Sequence, residues 1–435
     1  KEVKKTMSSE IGNKRWFIAF MMVFVYAAMY LGRSSLSYVG PVLMKQFGWN
    51  ATQFGLASTA FFIGYGLTML PSGPLADKFG TTRVLIFGVL FWSVFVFLTP
   101  FVASLGMIII VRALTGVGQG TVLPSNGTLM SRWMPQKEVG LAQGIVMIGT
   151  PLGIALTMLT APFIMASFGW KSVFWIFALI GPIWTFVWLK FGKDRPEDDH
   201  RLSKAELEYI KSGQVNKEIT GDAAKVVAKD IYSTPSVWIV ALSYFASNYL
   251  FFMFMTWLPT YFAIGRGFSM KTAGLLLVAP YIVAMFCYPL GGKLADSFAK
   301  KLGDNVGRKM FEVIGLAGAA ILLVLSSLST NIIVAVIYLS ISNGLLSITQ
   351  APFFSTAVIY SPKNAGMISG LYGFFGTAAG LIAPIVTGII VDSAGYNNAL
   401  FVGAAVAVVG AVIMLFAKIK PVEAKKAKFK GPVSI

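Results

Sequence analysis

Two residue types that build most covalent and metal-held sites are nearly missing from this chain of 435 residues, which has one cysteine, Cys287, and one histidine, His200. A lone thiol cannot close a disulfide within the chain, and His200 lies in Lys193-Asp-Arg-Pro-Glu-Asp-Asp-His-Arg201 with no second imidazole or thiol near it. A disulfide-stapled fold and a zinc site are therefore excluded, and no metal or cofactor is expected. Charge is scarce as well, at 12% of residues against about 25% in soluble domains, which excludes a disordered chain. Acidic residues are the scarcest, 18 against 36 basic ones, for a net charge of +18. The basic residues sit in short segments between apolar runs and form no contiguous stripe, so no nucleic-acid partner is expected. An enzyme would need a nucleophile, a base or a metal set, and no such grouping exists in the chain.

Apolar sequence is abundant, 56% of the chain. A spanning helix needs about 20 apolar residues, so twelve would use roughly 240 and leave room for loops. By run length the spans fall near 16–43, 53–75, 82–103, 105–130, 140–166, 170–191, 236–263, 271–294, 309–328, 331–359, 365–391 and 397–418. Lys1 to Arg15 is polar and the run after it exceeds a signal-peptide core, so the first span is expected to stay in the membrane. Lysine and arginine mark the side that is not translocated. Lys1, Lys4, Lys5, Lys14, Arg15, Lys78, Arg83, Arg132, Lys137, the 193–229 loop, Lys300, Lys301, Arg308, Lys309, Lys363 and the Lys418–Lys430 tail fall on one side. Lys45, Lys171, Arg266 and Lys271 fall on the other. Both termini are expected to face the cytoplasm from the inner (cytoplasmic) membrane.

Residues 192–235 turn abruptly polar and contain Ser203-Lys-Ala-Glu206-Leu-Glu208, the pattern of a short capped amphipathic helix in a solvated linker. The sequence on either side repeats. Gly73-Pro-Leu-Ala-Asp77 returns 219 positions later as Gly292-Lys-Leu-Ala-Asp296, and Gly149-Thr-Pro-Leu-Gly153 returns 227 positions later as Gly376-Thr-Ala-Ala-Gly380. Phe168-Gly169-Trp170 has its echo in Ala394-Gly395-Tyr396. The expected fold is an all-α polytopic membrane protein of twelve helices in two six-helix bundles related by a pseudo-two-fold: residues 1–191, a cytoplasmic linker at 192–235, and residues 236–435 with the basic tail.

Arginine inside an apolar span is costly unless it faces a partner or a wet cavity. Tyr26-Ala-Ala-Met-Tyr30-Leu-Gly-Arg33-Ser-Ser-Leu-Ser-Tyr38 puts Arg33 past the middle of the first run, with tyrosines three and seven residues before it on the same face. Arg112 opens Arg112-Ala-Leu-Thr-Gly116-Val-Gly118-Gln-Gly120 in the fourth span. No acid occupies the middle of any predicted span, because Asp77, Glu138, Asp296, Glu312 and Asp392 fall at ends or turns. Two uncompensated guanidinium groups make a cavity that suits an anion, which arginine grips with its planar fork. Tyr65, Asn126, Gln143, Thr150, Asn248, Asn343, Ser347, Thr349, Gln350 and Tyr372 interrupt apolar helices and are candidates for the rest of the lining.

The segment Gly73-Pro-Leu-Ala-Asp77-Lys78-Phe-Gly80-Thr-Thr-Arg83, with Asp296 and Gly307-Arg308-Lys309 in the second half, resembles the signature of the major facilitator superfamily. Its small residues permit a tight turn, and Asp77 is expected to pair with Arg83 or a helix N-terminus. Asp77, Arg83, Asp296 and Arg308 are the expected gating residues. Tyr30-Leu-Gly-Arg33, the pattern around Arg112, Pro124-Ser-Asn126 and Thr256-Trp257-Leu-Pro259-Thr-Tyr261 together resemble the anion:cation symporter branch, which includes sugar-acid transporters. The resemblance implies import of a small organic anion coupled to H+ or Na+, with Tyr30, Arg33, Tyr65, Arg112 and Asn126 in the substrate site. Where that branch places acids just before the first-span arginine and in the fourth span, this chain has Gly32 and Gln119. Gln119 can hydrogen-bond a polyol but cannot titrate. Organophosphate:phosphate antiporters share the first-span pattern but place a second arginine in span seven, and Asn248–Trp257 has none. A membrane sensor of the same fold would be expected to carry more than the 44 residues of the linker. The expectation is thus a monomeric secondary transporter of a sugar acid or other carboxylate, working by alternating access.

Overall fold

The computed structural model describes residues 12–214 and 226–423. Lys1, Lys4 and Lys5, part of the linker and the end of the basic tail lie outside the described residues. Eleven helices among those described are long and apolar enough to cross a membrane: α1 Lys14–Phe47, α3 Thr81–Phe101, α4 Leu105–Trp133, α5 Gln136–Phe168, α6 Trp170–Phe191, α7 Pro235–Gly265, α8 Met270–Leu302, α9 Asp304–Leu328, α10 Ile332–Tyr360, α11 Ala365–Ala394 and α12 Tyr396–Leu415. The twelfth, α2, runs Ala51–Phe79 and bends by 49° at the proline that opens Pro71–Phe79, where the missing N–H and the ring break the ladder.

The ends are set by local chemistry. Gly48, at φ 67°, closes α1, and Asn50 opens α2 with a capping box in which it accepts from the backbone N–H of Gln53 at 2.8 Å and Gln53 Oε1 accepts in return at 3.1 Å. Ser104, Ser269 and Asn331 cap α4, α8 and α10 in the same manner. Several helices outrun the apolar stretches read from the sequence. Hydrogen bonding continues through the charged ends of α8 and α9 beyond the point where hydropathy falls.

The helix pairing has a six-helix period. α2 packs on α4 and α1 on α5, as α8 packs on α10 and α7 on α11. The two sets meet through α2 with α11, α5 with α8, and α1 with α7. The outward faces of α3, α6, α9 and α12 expose large apolar side chains such as Phe87, Phe186, Ile321 and Val409. A bilayer solvates such faces, since every backbone group behind them is already paired.

One end of the molecule, hereafter the basic face, carries the start of α1, the linker and the end of α12. At the opposite face the two sets of helices are sealed. Asp392 of α11 accepts from the backbone N–H groups of Ala51 and Thr52 at 2.9 and 2.7 Å and from the Thr52 hydroxyl at 2.6 Å. The Tyr38 hydroxyl donates to the carbonyl of Met270 at 2.9 Å, and the Thr59 hydroxyl to that of Leu381. Toward the basic face there is open space beside Gly140 and Gly144 of α5 and Gly366 and Gly370 of α11.

The described part of the linker differs from the solvated tether expected of it. Its helix Lys204–Gly213, capped by Ser203, presents the buried carboxylate of Glu206 to the start of α1. Arg15 donates to Glu206 at 3.0 Å and to Glu138 of α5 at 2.9 Å. Asp199 is also buried and holds Arg201 at 2.9 Å and Lys14 at 3.4 Å. Although burial opposes its ionisation, the Arg201 and Lys14 cations hold its carboxyl below the usual range.

Candidate substrate site

Three spans are interrupted along their length: α4 at Gly120–Thr121, α5 at Ile148, and α10 at Thr349. Each interruption adjoins a polar candidate, namely Gln119, Thr150 and Gln350. A break inside a spanning helix frees backbone groups for a ligand or a neighbour.

Close backbone approach sets the position of the two arginines. A side chain on Gly64 would collide with the carbonyl of Ala113, and one on Gly116 with the carbonyl of Phe61. With glycine at both positions α2 and α4 touch backbone to backbone, and the Phe61 ring lies between the guanidinium groups. Its centroid is 4.2 Å from Cζ of Arg33 and 5.1 Å from Cζ of Arg112. Gly149 and Gly153 of α5 do the same for α1, where a Cβ would meet the Cβ atoms of Tyr26 and Tyr30. The repeated glycine Gly376 on α11 makes room for Tyr244 and Asn248 of α7. The internal repeat is therefore a packing device that seats the lining of both halves.

Arg33 is 3% exposed. Its Nε and Nη2 donate to Oε1 of Gln119 at 3.3 and 3.2 Å, and its Nη1 donates to the Tyr30 hydroxyl at 3.5 Å. Gln119 is fixed in turn by donating from Nε2 to the carbonyl of Met29 at 3.1 Å. The rings of Tyr30 and Tyr65 lie 4.7 and 5.2 Å from the same guanidinium. Every partner of Arg33 is neutral, and part of its five-donor fork is unused. Arg112 is 4% exposed, and its Nε is buried without a hydrogen-bond partner among the described residues. Cation–π contacts contribute about 0.5–2 kcal/mol each, whereas the effective penalty for burying an ion is several kcal/mol. The aromatic cage alone does not balance two cations, and an anion would.

Across the interface, the Phe251 ring lies 6.4 Å from that of Tyr30, and Phe252 lies 4.5 Å from Phe62. Asn248 donates to the carbonyl of Tyr244 at 2.9 Å. Gln350 donates to the Ser247 hydroxyl at 3.0 Å, and Thr349 is 3.3 Å from the same hydroxyl. Tyr372 meets Thr356 at 3.1 Å. Asn126 is buried and donates to Gln143 at 2.6 Å, leaving its own Oδ1 unpartnered. Thr150 is buried on α5. Asn343 and Ser347 serve α10 itself and its packing, donating to the carbonyls of Pro280 and Asn343.

Two further tyrosines join the candidates. Tyr244 and Tyr288 lie within electrostatic reach of each other and of Tyr30. A tyrosine in an apolar span has no periodic signal that separates lining from packing, and only the meeting of α1, α7 and α8 reveals these.

The expected gating residues lie at the basic face, with one change of partner. Asp77 stands 3.7 Å from Arg132, at the end of α4, while Arg83 is exposed on the first turn of α3. Gly80, at φ 91°, makes the turn between α2 and α3. Arg308 pairs with Asp296 at 2.8 Å and with Asp304 at 3.1 Å. Glu312, read from the sequence as lying near a span end, is fully buried. The helix begins at Asp304 rather than at the first apolar residue, which places Glu312 two turns inside it.

Comparison with known proteins follows the same lines. Residues 22–301 and 297–434 match the family described as Major Facilitator Superfamily. The chain is 31% identical over 404 residues to "Probable anion transporter 4, chloroplastic" of Oryza sativa subsp. japonica, covering 92% of this chain and 68% of that one. It is 29% identical over 411 residues to the "Hexuronate transporter" of Bacillus subtilis (strain 168), covering 93% and 95%. Among solved structures, a bacterial homologue of the human lysosomal transporter Spinster, in an inward-facing and occupied conformation, superposes with a TM-score of 0.75 at 15% identity, covering 93% of this chain and 97% of that one. At that identity the likeness concerns the fold.

Proposed function

The chain belongs to the Major Facilitator Superfamily, as a multi-pass anion transporter and not an enzyme, and from that premise we propose that its cargo is a small organic anion, a sugar acid or a related carboxylate. The observation that carries this reading is Arg33, buried and, among the described residues, bonded to neutral oxygen atoms, those of Gln119, Tyr30 and Tyr65. A carboxylate entering the space bordered by Tyr30, Tyr65 and Phe251 would receive two parallel N–H bonds from the unused part of that fork. Arg112, across the Phe61 ring, adds a second positive charge. The hydroxyl and amide groups of Tyr244, Asn248, Gln350 and Tyr372 suit the hydroxyls of a sugar acid. The hexuronate carrier among the relatives agrees with this class.

In this reading the basic face is cytoplasmic and the two halves, divided by the linker at 192–235, rock about the site. On that orientation the contacts of Asp392 and Tyr38 would close the outer side, and the space beside Gly140, Gly144, Gly366 and Gly370 would lie on the cytoplasmic side. Asp77, Arg132, Asp296 and Arg308 then belong to the inner gate, and an ion gradient drives accumulation.

Uptake by proteoliposomes tests the reading. Glucuronate, a sulfonated carboxylate, a phosphate ester, inorganic phosphate and a neutral hexose are offered in turn. Glucuronate or another carboxylate is expected to enter and to exchange in counterflow. Arg33→Lys is expected to lose at least about tenfold in apparent affinity, since an ammonium keeps the charge but loses the bidentate geometry. Entry of the neutral hexose alone, or an unaltered affinity in Arg33→Lys, would refute the assignment. Binding without counterflow would identify a sensor instead.

A further inference from the structure

Glu312 has no part in the site described above. Both of its carboxyl oxygens are buried without a hydrogen-bond partner among the described residues, and the residue itself is 0% exposed. The charged and titratable groups that face it are few. Arg308 lies one turn earlier on α9, and Tyr360 of α10 and Tyr372 of α11 are within electrostatic reach of it. α8 also packs on α9, but its Asp296 is bound to Arg308 at 2.8 Å. α12 packs there too, and its tyrosine, Tyr396, begins that helix at the opposite face. Arg308 spends its hydrogen bonds on Asp296, Asp304 and, at 2.6 Å, the hydroxyl of Ser355, and makes none to Glu312.

An ionised carboxylate in this setting would lack both hydrogen bonds and a counter-ion, at an effective cost of several kcal/mol. A neutral carboxyl forgoes only hydrogen bonds. We propose that Glu312 is the proton-binding carboxyl of the transport cycle, holding its proton in the conformation sealed at the opposite face. This rests on the transport reading and specifies its coupling ion. Loading forms one O–H bond from the ionised carboxylate and a proton from solution. Unloading breaks that bond and returns the proton to solvent, and Arg308 turns from Asp296 to offset the carboxylate left behind.

The route to the cargo is short. Tyr372, which faces Glu312, bonds to Thr356 and has its ring 6.3 Å from that of Tyr244, and Tyr244 is within electrostatic reach of Tyr30 beside Arg33. An occupied Arg33 can thereby influence whether Glu312 keeps its proton. Gly32 and Gln119 in the first half cannot titrate, whereas Glu312 gives the second half a buried carboxyl that can.

Two measurements test this on the full chain. The first needs no cargo: the infrared carbonyl stretch of a protonated carboxyl, recorded at neutral pH in lipid, is expected in the wild type and absent in Glu312→Gln. A wild type without that band overturns the proposal whatever the protein carries. The second uses glucuronate. A pH gradient of one unit can drive about tenfold accumulation per coupled proton, and the wild type is expected to approach that value with sodium replaced by choline. Glu312→Gln is expected to fall to a ratio of about one while counterflow of labelled glucuronate persists, which also shows that the variant is folded. Accumulation at the wild-type level in Glu312→Gln, or accumulation driven by sodium alone, overturns it. Failure of the wild type to take up any anion refutes the transport reading instead, and the infrared band then decides by itself whether Glu312 holds a proton.

Discussion

At the scale of single residues, Gln119 decides what kind of site Arg33 occupies. Its Oε1 takes two N–H bonds from the guanidinium, the place where a carboxylate would make an internal ion pair. A permanent pair would compete with the cargo, whereas a neutral amide orients the arginine and leaves its charge available. Gln119→Glu is therefore expected to weaken glucuronate binding by about tenfold or more at neutral pH. Binding should recover as the pH falls and the introduced carboxyl is neutralised. Thermal-shift titrations at several pH values would detect this, because a ligand of the folded state raises its melting temperature. The arginines themselves were readable from the chain, since a cation in an apolar run has few innocent explanations. Glu312 was misread because hydropathy marks where the hydrocarbon begins, not where a helix begins. The partner of Asp77 was misread for a related reason: nearness in sequence to Arg83 does not survive the turn at Gly80.

At the scale of helices, the glycines divide into two groups by what stands beside them. Gly64, Gly116, Gly149, Gly153 and Gly376 are pressed against neighbouring backbone or lining side chains, whereas Gly140, Gly144, Gly366 and Gly370 face open space. Gly116→Ala should force α2 and α4 apart, cost about 1–3 kcal/mol and disturb the cage around Phe61. Gly140→Ala should leave thermal stability unchanged or raise it by up to about 1 kcal/mol, the helix-propensity gain. Differential unfolding in detergent compares the two directly. The sequence separates these groups only in part: Gly116 sits in the pattern around Arg112 and Gly149, Gly153 and Gly376 in the repeat, but Gly64 carries no signal that sets it apart from Gly140. The repeat signalled that Gly149 and Gly376 do related work, but not which helix each one admits.

At the scale of the whole molecule, the seal at the opposite face rests on few interactions, of which Asp392 makes three, all to the start of α2. Hydrogen bonds to a charged group contribute about 1.5–3 kcal/mol each. Asp392→Ala should therefore shift the resting population toward a form open at that face by at least about tenfold. A cysteine introduced by Thr59→Cys in a Cys287→Ser background would report it, as Thr59 is buried among the sealing contacts, bonded to Leu381, and the Thr59→Cys protein with Asp392 intact supplies the reference rate. Faster labelling by a membrane-impermeant reagent in Asp392→Ala is the expected result, and an unchanged rate would mean that the seal is held elsewhere.

Apolar run lengths, the placement of lysine and arginine and the offset repeats were enough to specify a twelve-span, duplicated membrane protein, because the bilayer constrains composition along the chain itself. They also exposed Arg33 and Arg112, since burying charge is costly wherever it occurs. Tertiary structure alone decided that Gln119 holds Arg33, that Tyr244 and Tyr288 come close to Tyr30, that the linker is tied to α1 and α5 by Arg15, and that Glu312 is enclosed. Each of these depends on which faces of separate helices meet. That is set by side-chain volume and backbone approach between segments far apart in sequence, which no local pattern encodes.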